Sequence, residues 1–453
     1  MNRSRSATWV KLMAGTAVLS LSLAACGSDD SGEEAGGDTS PSAGESDTSS
    51  QETFTNDKCG GGTSSADSFK VGGILPLTGN LAFLGPPEIA GVGLAVSEIN
   101  AAGGVGGKDA CYQMEDSGDS TDMSVSTASA GTLVSSKPSV VIGAASSSVS
   151  LNFVDTLTDA KITQVSPANT AVDLSGYDPF YFRTAPPDTI QGNALGTLIT
   201  SDGYQRVAFI VFNDTYGTGL RNYTQETIEA NGGEVVYGAK GQGDEFPAGQ
   251  TTFSAEVTAA LNANPDAIVV LAFDESTPII KELDAQGWDM PKTYFTDGNL
   301  SDYSESFDPG LLEGAQGTLP GNDPDEGFKD RLIGWYDTAE GDTLKDFSYG
   351  AESYDAVILA ALAAAKGGDT VSATVQENYA AVSGATDGEE CTSYETCLTL
   401  LEDGKEIRYT GPSGIGPIND QNDPSSAFIG IYKYNGDNVP EIASGVEGAP
   451  AAQ

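Results

Sequence analysis

The chain has 453 residues, and 65 Asp and Glu against 21 Lys and Arg give a formal net charge of −44. Such an acidic surface repels phosphate backbones, so nucleic acid is excluded as an expected partner. Histidine is absent, which removes the commonest general base, the commonest metal ligand and the Ser-His-Asp triad. We therefore expect neither an enzyme nor a cofactor or metal site.

Residues 1–25 have the pattern of a signal peptide: three basic residues, then the apolar run Leu12–Leu23, then small residues. The apolar run is too short for a stable transmembrane helix. Leu23-Ala24-Ala25-Cys26 resembles the bacterial lipobox, which implies cleavage before Cys26 and lipidation of its sulfur. The alternative is an ordinary secretory signal that happens to end on cysteine. The expected location is extracytoplasmic, with a lipid anchor on the outer face of the bacterial cell membrane.

Residues 26–66 follow as a segment rich in Gly, Ser, Thr, Asp and Glu, with Phe54 as its one large apolar side chain after Gly27. Such a segment buries too little apolar surface to fold. Beside a lipidated cysteine, it predicts a flexible tether.

Four cysteines remain after Cys26, and an even number in an exported protein suggests two disulfides. Three connectivities are possible, and local pairing favours Cys59–Cys111 and Cys391–Cys397. A zinc site is the alternative, but the spacings do not match paired C-x-x-C ligands.

The first folded segment, from Lys70 to Gly107, has the pattern of strand, loop and helix. The strand is short and apolar, and the loop carries Pro, Gly and Asn. The helix has apolar residues at spacings of three or four, typical of one face packed on a sheet: Ile89, Val92, Val96 and Ile99.

Strand-like and helical patterns alternate along the rest of the chain. The predicted buried strands are Ser139–Gly143, Val207–Phe212, Ala267–Phe273 and Thr293–Thr296. The predicted helices are Ser124–Ser135, Gly219–Ala230, Phe253–Ala263, Pro278–Gln286 and the apolar Ala351–Ala364. This alternation predicts an α/β fold with doubly wound sheets, and about 380 residues are too many for one core, which predicts two domains.

From about residue 68 to 443 the chain resembles the leucine/isoleucine/valine-type solute-binding proteins that serve ABC importers. The resemblance is carried by the opening strand-loop-helix and by the polar segments described below. It implies a type I periplasmic-binding-protein fold, with two Rossmann-like lobes joined by a three-strand hinge. The implied boundaries are lobe one at 67–185 plus 320–405, lobe two at 186–319 plus 406–445, and a tail at 446–453.

The predicted strand Ser139–Gly143 runs into Ser146, Ser147 and Ser148 at the start of a helical pattern. Backbone N–H groups and hydroxyls at a helix start can bind a carboxylate. The alternative is a helix cap and nothing more. The resemblance implies that Ser147, next to Ser146, touches the ligand carboxylate.

The resemblance also implies a site for the amino-acid head group. Ser166-Pro167-Ala168-Asn169-Thr170 is similar to the family's S/T-P-A-x-T segment, which assigns head-group binding to Ala168 and Thr170. Asp297, directly after a predicted strand, stands at a position that is acidic in the family and receives an α-ammonium group. An ordinary Pro-containing turn and an Asp-Gly turn are the alternatives.

Aromatic and apolar residues complete the predicted site. Tyr216 and Phe273 match family positions that cover the ligand, although either could belong to the core. Leu84 stands where the family often has an aromatic residue, and Phe83 beside it could compensate, so the ligand need not be branched-chain.

The expected function is capture of an amino acid or amide-like small molecule by a monomer, which delivers it to the membrane subunits of an ABC permease. A ligand-sensing surface receptor of the same fold, without transport, is the alternative. A surface hydrolase working with carboxylates is a third possibility, and the lack of histidine and of a G-x-S-x-G motif argues against it.

Overall fold

The computed structural model describes residues 54–60 and 67–448. In the first lobe, five parallel strands form a sheet in the order β2-β1-β3-β4-β5. The strands are β1 Phe69–Leu75, β2 Ala110–Asp116, β3 Val140–Gly143, β4 Gln164–Ser166 and β5 Tyr181–Arg183. Three helices connect them: α1 Gly85–Ala101, α2 Met123–Ser136 and α3 Ser147–Asp159. Strand β3 is buried along its whole length. Such a continuous apolar run is typical of a parallel strand in a sheet that is covered on both faces.

The first lobe is completed by a later stretch of chain. It contains α8 Glu326–Glu340, α9 Gly350–Gly367, α10 Ser372–Ala380, β11 Glu389–Cys391, α11 Tyr394–Glu402 and β12 Ile407–Tyr409. The predicted interior helix is α9, which packs closely on α1. Glycine makes this approach possible, because a Cβ on Gly91 would lie 2.2 Å from the Gly350 carbonyl oxygen of α9. Helix α8 also lies close to α1, since a Cβ on Gly93 would lie 1.9 Å from the ring of Trp335.

The second lobe holds a seven-stranded sheet in the order β14-β13-β10-β9-β8-β6-β7. Its strands are β6 Arg206–Val211, β7 Glu234–Tyr237, β8 Ala267–Leu271, β9 Thr293–Phe295, β10 Gln316–Pro320, β13 Ala427–Tyr434 and β14 Pro440–Gly448. Strands β6 to β10 are parallel, and β13 and β14 are antiparallel. The helices are α4 Asp188–Ser201, α5 Thr215–Ala230, α6 Ser254–Asn262 and α7 Ser276–Ala285. The predicted α/β class with two doubly wound lobes is confirmed.

Three crossings of the chain form the hinge between the lobes, after β5, after β10 and before β13. Buried polar contacts join them. Gly321 N–H of the second crossing donates to the Phe428 carbonyl at 2.8 Å. Arg183 and Asp423, both buried, form an ion pair at 2.6 Å that ties the first crossing to the third. Because Arg183 also donates to nearby carbonyls, its charge is satisfied inside the protein.

The predicted boundary at 405/406 falls just before β12. Strand β12 pairs in parallel with β11, and Ile418 belongs to the core of the first lobe. A boundary at 405/406 would separate two paired strands. We therefore propose that the chain leaves the first lobe between Ile418 and Ala427. At the C-terminal end, β14 extends to Gly448, so the predicted tail at 446–453 begins inside a strand.

Residues 54–60 lie within the predicted tether, yet they pack on the first lobe. Phe54 contacts its core, Trp335 donates to the Thr55 carbonyl at 3.0 Å, and Cys59 N–H donates to the Tyr112 carbonyl at 2.8 Å. An aromatic side chain, backbone hydrogen bonds, the Lys58–Glu340 ion pair and the Cys59–Cys111 pair hold this short stretch, although composition predicts no structure there. The signal peptide at 1–25, Cys26 and the tether up to residue 53 lie outside the described residues.

Two further predictions concern the cysteines and the membrane. The sulfur atoms of Cys59 and Cys111 lie at bonding distance, as do those of Cys391 and Cys397. Within residues 54–60 and 67–448 no single helix is long and apolar enough to cross a membrane. The helical segments Gly350–Gly367 and Ser372–Ala385 are long and apolar enough only when they are taken together, and a bend of 103° separates them.

Candidate ligand-binding site between the two lobes

A small cavity lies between the lobes, where loops follow strands of both sheets. Its empty space is about 260 Å³. We call it the interlobe cavity; its lining residues are Leu81, Leu84, Ala145, Ser146, Ser147, Ala168, Tyr216, Phe273, Asp297, Gly298 and Tyr349. The structure therefore brings together all the predicted ligand residues except Phe83 and Thr170.

The serine segment forms the first-lobe wall of the interlobe cavity. Ser146 caps α3 by accepting from Val149 N–H, so the predicted cap exists, but it also faces the cavity. The Ser148 hydroxyl donates to the carboxylate of Asp214 in the second lobe. The Ser146 and Ser148 hydroxyl oxygens lie 3.2 Å apart. Ser147 Oγ accepts from Ala171 N–H at 3.2 Å, which leaves the Ser147 hydroxyl proton available. Together with the N–H groups at the start of α3, this wall suits a carboxylate.

Side chains from the neighbouring strand and its loop hold the serine segment in place. The Gly143, Ala144 and Ala145 carbonyls each accept one hydrogen bond, at 2.8, 2.7 and 2.8 Å. The donors are Gln164, Ser166 and Asn169. Ala168 N–H also donates to Ser166 Oγ at 3.3 Å. The same network therefore fixes Ala168 at the cavity wall.

Asp297 is the one charged side chain among the described residues that line the interlobe cavity. Its Oδ1 accepts from Gln191 at 2.8 Å and from Tyr216 at 2.7 Å, and its Oδ2 accepts from Tyr349 at 2.7 Å. Burial raises the pKa of the Asp297 carboxyl, and the hydrogen bonds from Tyr216, Tyr349 and Gln191 oppose that rise. A buried carboxylate without a cation is stabilised by any cationic group that enters beside it.

A tight turn sets the position of Asp297. Thr296 N–H donates to Asn299 Oδ1 and Asn299 N–H donates to the Thr296 carbonyl, at 2.8 and 2.9 Å. Asn299 in turn donates to the Val270 carbonyl of β8 at 2.9 Å. The predicted Asp-Gly turn is therefore present, and its anchoring to two strands aims the carboxyl group into the cavity.

Two aromatic rings cover the second-lobe side. Tyr216 and Phe273 stack with ring centroids 5.6 Å apart and an interplanar angle of 12°. The Tyr216 hydroxyl binds Asp297, so this ring has both an apolar face and a fixed polar end. Leu81 and Leu84 also line the cavity and supply aliphatic surface. The cavity thus offers an apolar half beside the polar groups.

The two remaining predicted residues lie outside the cavity wall. Phe83 packs against the core of the second lobe. Thr170 is fully buried, and its carbonyl accepts from Asp188 N–H at 2.7 Å. The Thr170 hydroxyl opposes the rise that burial causes in the pKa of Asp188. Its neighbour is therefore a protein carboxyl rather than the cavity.

Contacts across the cleft, which sequence reasoning missed, hold the lobes together. Tyr349 of the first lobe donates to Asp297 of the second. Ser148 donates to Asp214, which caps α5. Pattern and spacing give no signal for these pairs, because their members are far apart in sequence. The lobes in this structure are closed around the interlobe cavity.

Two lobes closed over a small cavity, with polar groups on both walls, define a protein that encloses a small solute. A family model described as periplasmic binding protein matches residues 68–388, and the chain belongs to this family. Its members are binding proteins, in agreement with the expectation of no enzyme.

Similar proteins support the same class. The Leu/Ile/Val/Thr-binding protein of Salmonella typhimurium is 31% identical over 204 residues, covering 44% of this chain and 54% of that protein. The chain thus spans about half the length of this curated relative. The branched-chain amino acid transporter substrate binding protein LivJ of Streptococcus pneumoniae, in complex with isoleucine, superposes with a TM-score of 0.68. It is 22% identical and covers 84% of this chain and 100% of its own.

A second solved structure has the same fold and a different ligand. The solute binding protein of an R. palustris ABC transporter, in complex with 4-hydroxybenzoate, has a TM-score of 0.68 and 16% identity. The match covers 85% of this chain and 98% of that one. Both superpositions show the type I periplasmic-binding-protein fold.

Proposed function

We propose that this protein captures a small aliphatic α-amino acid in the interlobe cavity and delivers it to an ABC permease. The observation that carries the proposal is Asp297, a buried carboxylate with three neutral hydrogen-bond donors and no cation beside it among the described lining residues. An α-ammonium group supplies the missing charge. Ser147 and the first turn of α3 then face the α-carboxylate, and Leu81 and Leu84 face the side chain.

The proposal favours an amino acid over an aromatic acid for a physical reason. A carboxylate ligand without an amine, such as 4-hydroxybenzoate, would leave Asp297 buried and unpaired next to another anion. The small cavity also disfavours large side chains. Leu/Ile/Val/Thr are the ligands named for the Salmonella relative, and they agree with this size and polarity.

The cellular setting is part of the proposal. Cleavage before Cys26 and lipidation of its sulfur would anchor the chain outside the cell membrane, with residues 27–53 as the tether. In that oxidising compartment the pairs Cys59–Cys111 and Cys391–Cys397 would be disulfides. The protein would act as a monomer, since lobe closure by itself presents a distinct surface to the permease.

Isothermal titration calorimetry tests the ligand class. The purified protein is titrated with isoleucine, with 3-methylpentanoate, which lacks only the amine, and with 4-hydroxybenzoate. We expect isoleucine to bind at least about 30-fold more tightly than either acid, because an unpaired buried charge costs about 2 kcal/mol or more. Equal affinity for isoleucine and 3-methylpentanoate would refute the assignment.

A further inference from the structure

A second cavity lies beside the hinge, on the other side of Tyr349 from the interlobe cavity. It encloses about 1170 Å³ of empty space, part of it open to solvent. Its walls come from the end of β10, the residues before α8, the segment before α9, and β13 and β14. We call it the hinge cavity, and its lining includes Asn322, Phe347, Tyr349, Glu352, Tyr432 and Ile442.

The hinge cavity is lined by more negative than positive charge. Its carboxyl groups are those of Asp302, Asp323, Asp346, Glu352 and Glu441, and its ammonium groups are those of Lys329 and Lys345. Lys329 is already paired with Asp323 at 2.9 Å and with Glu326 outside the cavity at 3.2 Å. The remaining negative charge attracts a cationic ligand.

Glu352 is the one buried carboxyl group among the described residues that line the hinge cavity. The residue is 3% exposed, and its Oε1 accepts no hydrogen bond from any described residue. The carboxyl group lies against the hinge, because a Cβ added to Gly321 would lie 2.0 Å from Oε1. Burial raises the pKa of Glu352 well above its usual value, so a cationic group that binds beside it favours the ionised carboxylate. Buried carboxyl oxygens without a partner are rare in folded proteins, so this one requires an explanation.

Aromatic rings stand beside the carboxyl groups. Tyr432 lies close enough to Asp323, Glu352 and Asp346 that their charges add to the rise that burial causes in its pKa. Phe347 and Tyr349 also line the cavity. An alkylammonium group fits such a wall, since its charge interacts with both carboxylates and ring faces and its carbon chain covers apolar surface. A bare metal ion fits less well: within the described part of the chain, no three acidic or cysteine side chains gather as metal ligands.

We propose that the hinge cavity is a second binding site, specific for an organic cation with a primary amine, and that Glu352 receives the ammonium group. The site is separate from the interlobe cavity and does not depend on the function proposed above. Tyr349 lies between the two cavities, and the ligand would contact the second crossing of the hinge at Gly321.

Equilibrium dialysis of the full chain with labelled 1,4-diaminobutane tests this site, with 1,4-butanediol as the uncharged control of the same length. We expect saturable binding of the diamine and none of the diol. Glu352→Gln keeps the shape and removes the carboxyl group that pairs with the ammonium group, so it should weaken diamine binding about tenfold or more. Glu441→Gln, at the more exposed rim, should change it less than about threefold.

Two further variants keep the test decisive if Glu352→Gln folds poorly. Tyr432→Leu removes an aromatic wall and should also weaken diamine binding. Asp297→Asn alters the interlobe cavity and should leave diamine binding within about threefold, which separates the two sites. Absence of saturable diamine binding to the wild type would overturn the proposal, as would unchanged binding to folded Glu352→Gln or equal binding of diol and diamine. Competition by millimolar Mg²⁺ at equal ionic strength to a NaCl control would also overturn it, by indicating a metal site.

Discussion

Asp188 connects the fold of the second lobe to the electrostatics of the interlobe cavity. It is the first residue of α4 and is fully buried. Neither of its carboxyl oxygens accepts a hydrogen bond of good geometry from the described residues. Burial raises the pKa of Asp188 to about 8, the nearby Asp297 charge adds to the rise, and the Thr170 hydroxyl opposes it. At neutral pH the Asp188 carboxyl group is therefore mostly protonated and adds little negative charge beside Asp297.

The substitution Asp188→Asn should change how stability depends on pH. Between pH 4 and 8 the folded protein holds a proton on Asp188 that the unfolded chain, with the ordinary carboxyl pKa of 3.8, has lost. The contribution of Asp188 to the free energy of unfolding therefore falls by about 1.4 kcal/mol for each unit of rising pH in this window and is flat above pH 8. Asn does not titrate, so the variant lacks this slope.

Urea unfolding of wild type and Asp188→Asn at pH 5, 6 and 7 measures the effect. Between pH 5 and pH 7 the free energy of unfolding of the variant should rise by about 3 kcal/mol relative to that of the wild type. Any constant difference in stability between the two proteins does not affect this comparison. Other buried carboxyls, such as Asp355 with a pKa of about 6, are common to both proteins and cancel in the difference. Asp284→Asn, on the exposed surface of α7, serves as the control and should run parallel to the wild type. If Asp188→Asn also runs parallel, Asp188 is ionised in the folded state and the reasoning is refuted.

Further predictions concern closure and the cysteine pairs. Tyr349→Phe removes the interlobe hydrogen bond to Asp297, so isoleucine affinity measured by calorimetry should fall about five- to tenfold; an unchanged affinity would contradict the role of Tyr349. Ser148→Ala removes the hydrogen bond across the cleft, and the radius of gyration of the ligand-free protein in small-angle X-ray scattering should increase. An unchanged radius would show that this contact does not favour closure. Cys59→Ser combined with Cys111→Ser should lower the free energy of unfolding by about 2–4 kcal/mol, and equal denaturation midpoints would rule out a stabilising disulfide.

Much of the fold follows from local pattern. The buried run that became β3 and the apolar helix α9 are each identifiable because a continuous apolar segment has few alternatives to the interior. The rule that ligands bind at the carboxyl ends of parallel strands explains why Ser147 and Asp297, far apart in sequence, line the same cavity. The assignment of a head-group role to Asp297, however, came from family resemblance, since the pattern alone also allows a simple turn.

Features that depend on contacts between distant segments could not be predicted. Tyr349 precedes a helix, and nothing in its neighbours indicates that its hydroxyl crosses to Asp297. The pairing of β12 with β11, which supports the proposed position of the third crossing, depends on the course of the chain in space. Phe54 stands in a segment of polar and small residues, and only its fit against the first lobe gives it a fixed position.

The central claim is that Asp297 recognises the α-ammonium group of the solute. A double-mutant cycle, with one change in the protein and the other in the ligand, measures this directly. Calorimetry gives the affinities of wild type and Asp297→Asn for isoleucine and for 3-methylpentanoate, with Asp284→Asn as the control variant. The account predicts a coupling free energy of about 2 kcal/mol or more between the carboxylate and the amine. A coupling near zero, with both ligands losing affinity equally in Asp297→Asn, would contradict it.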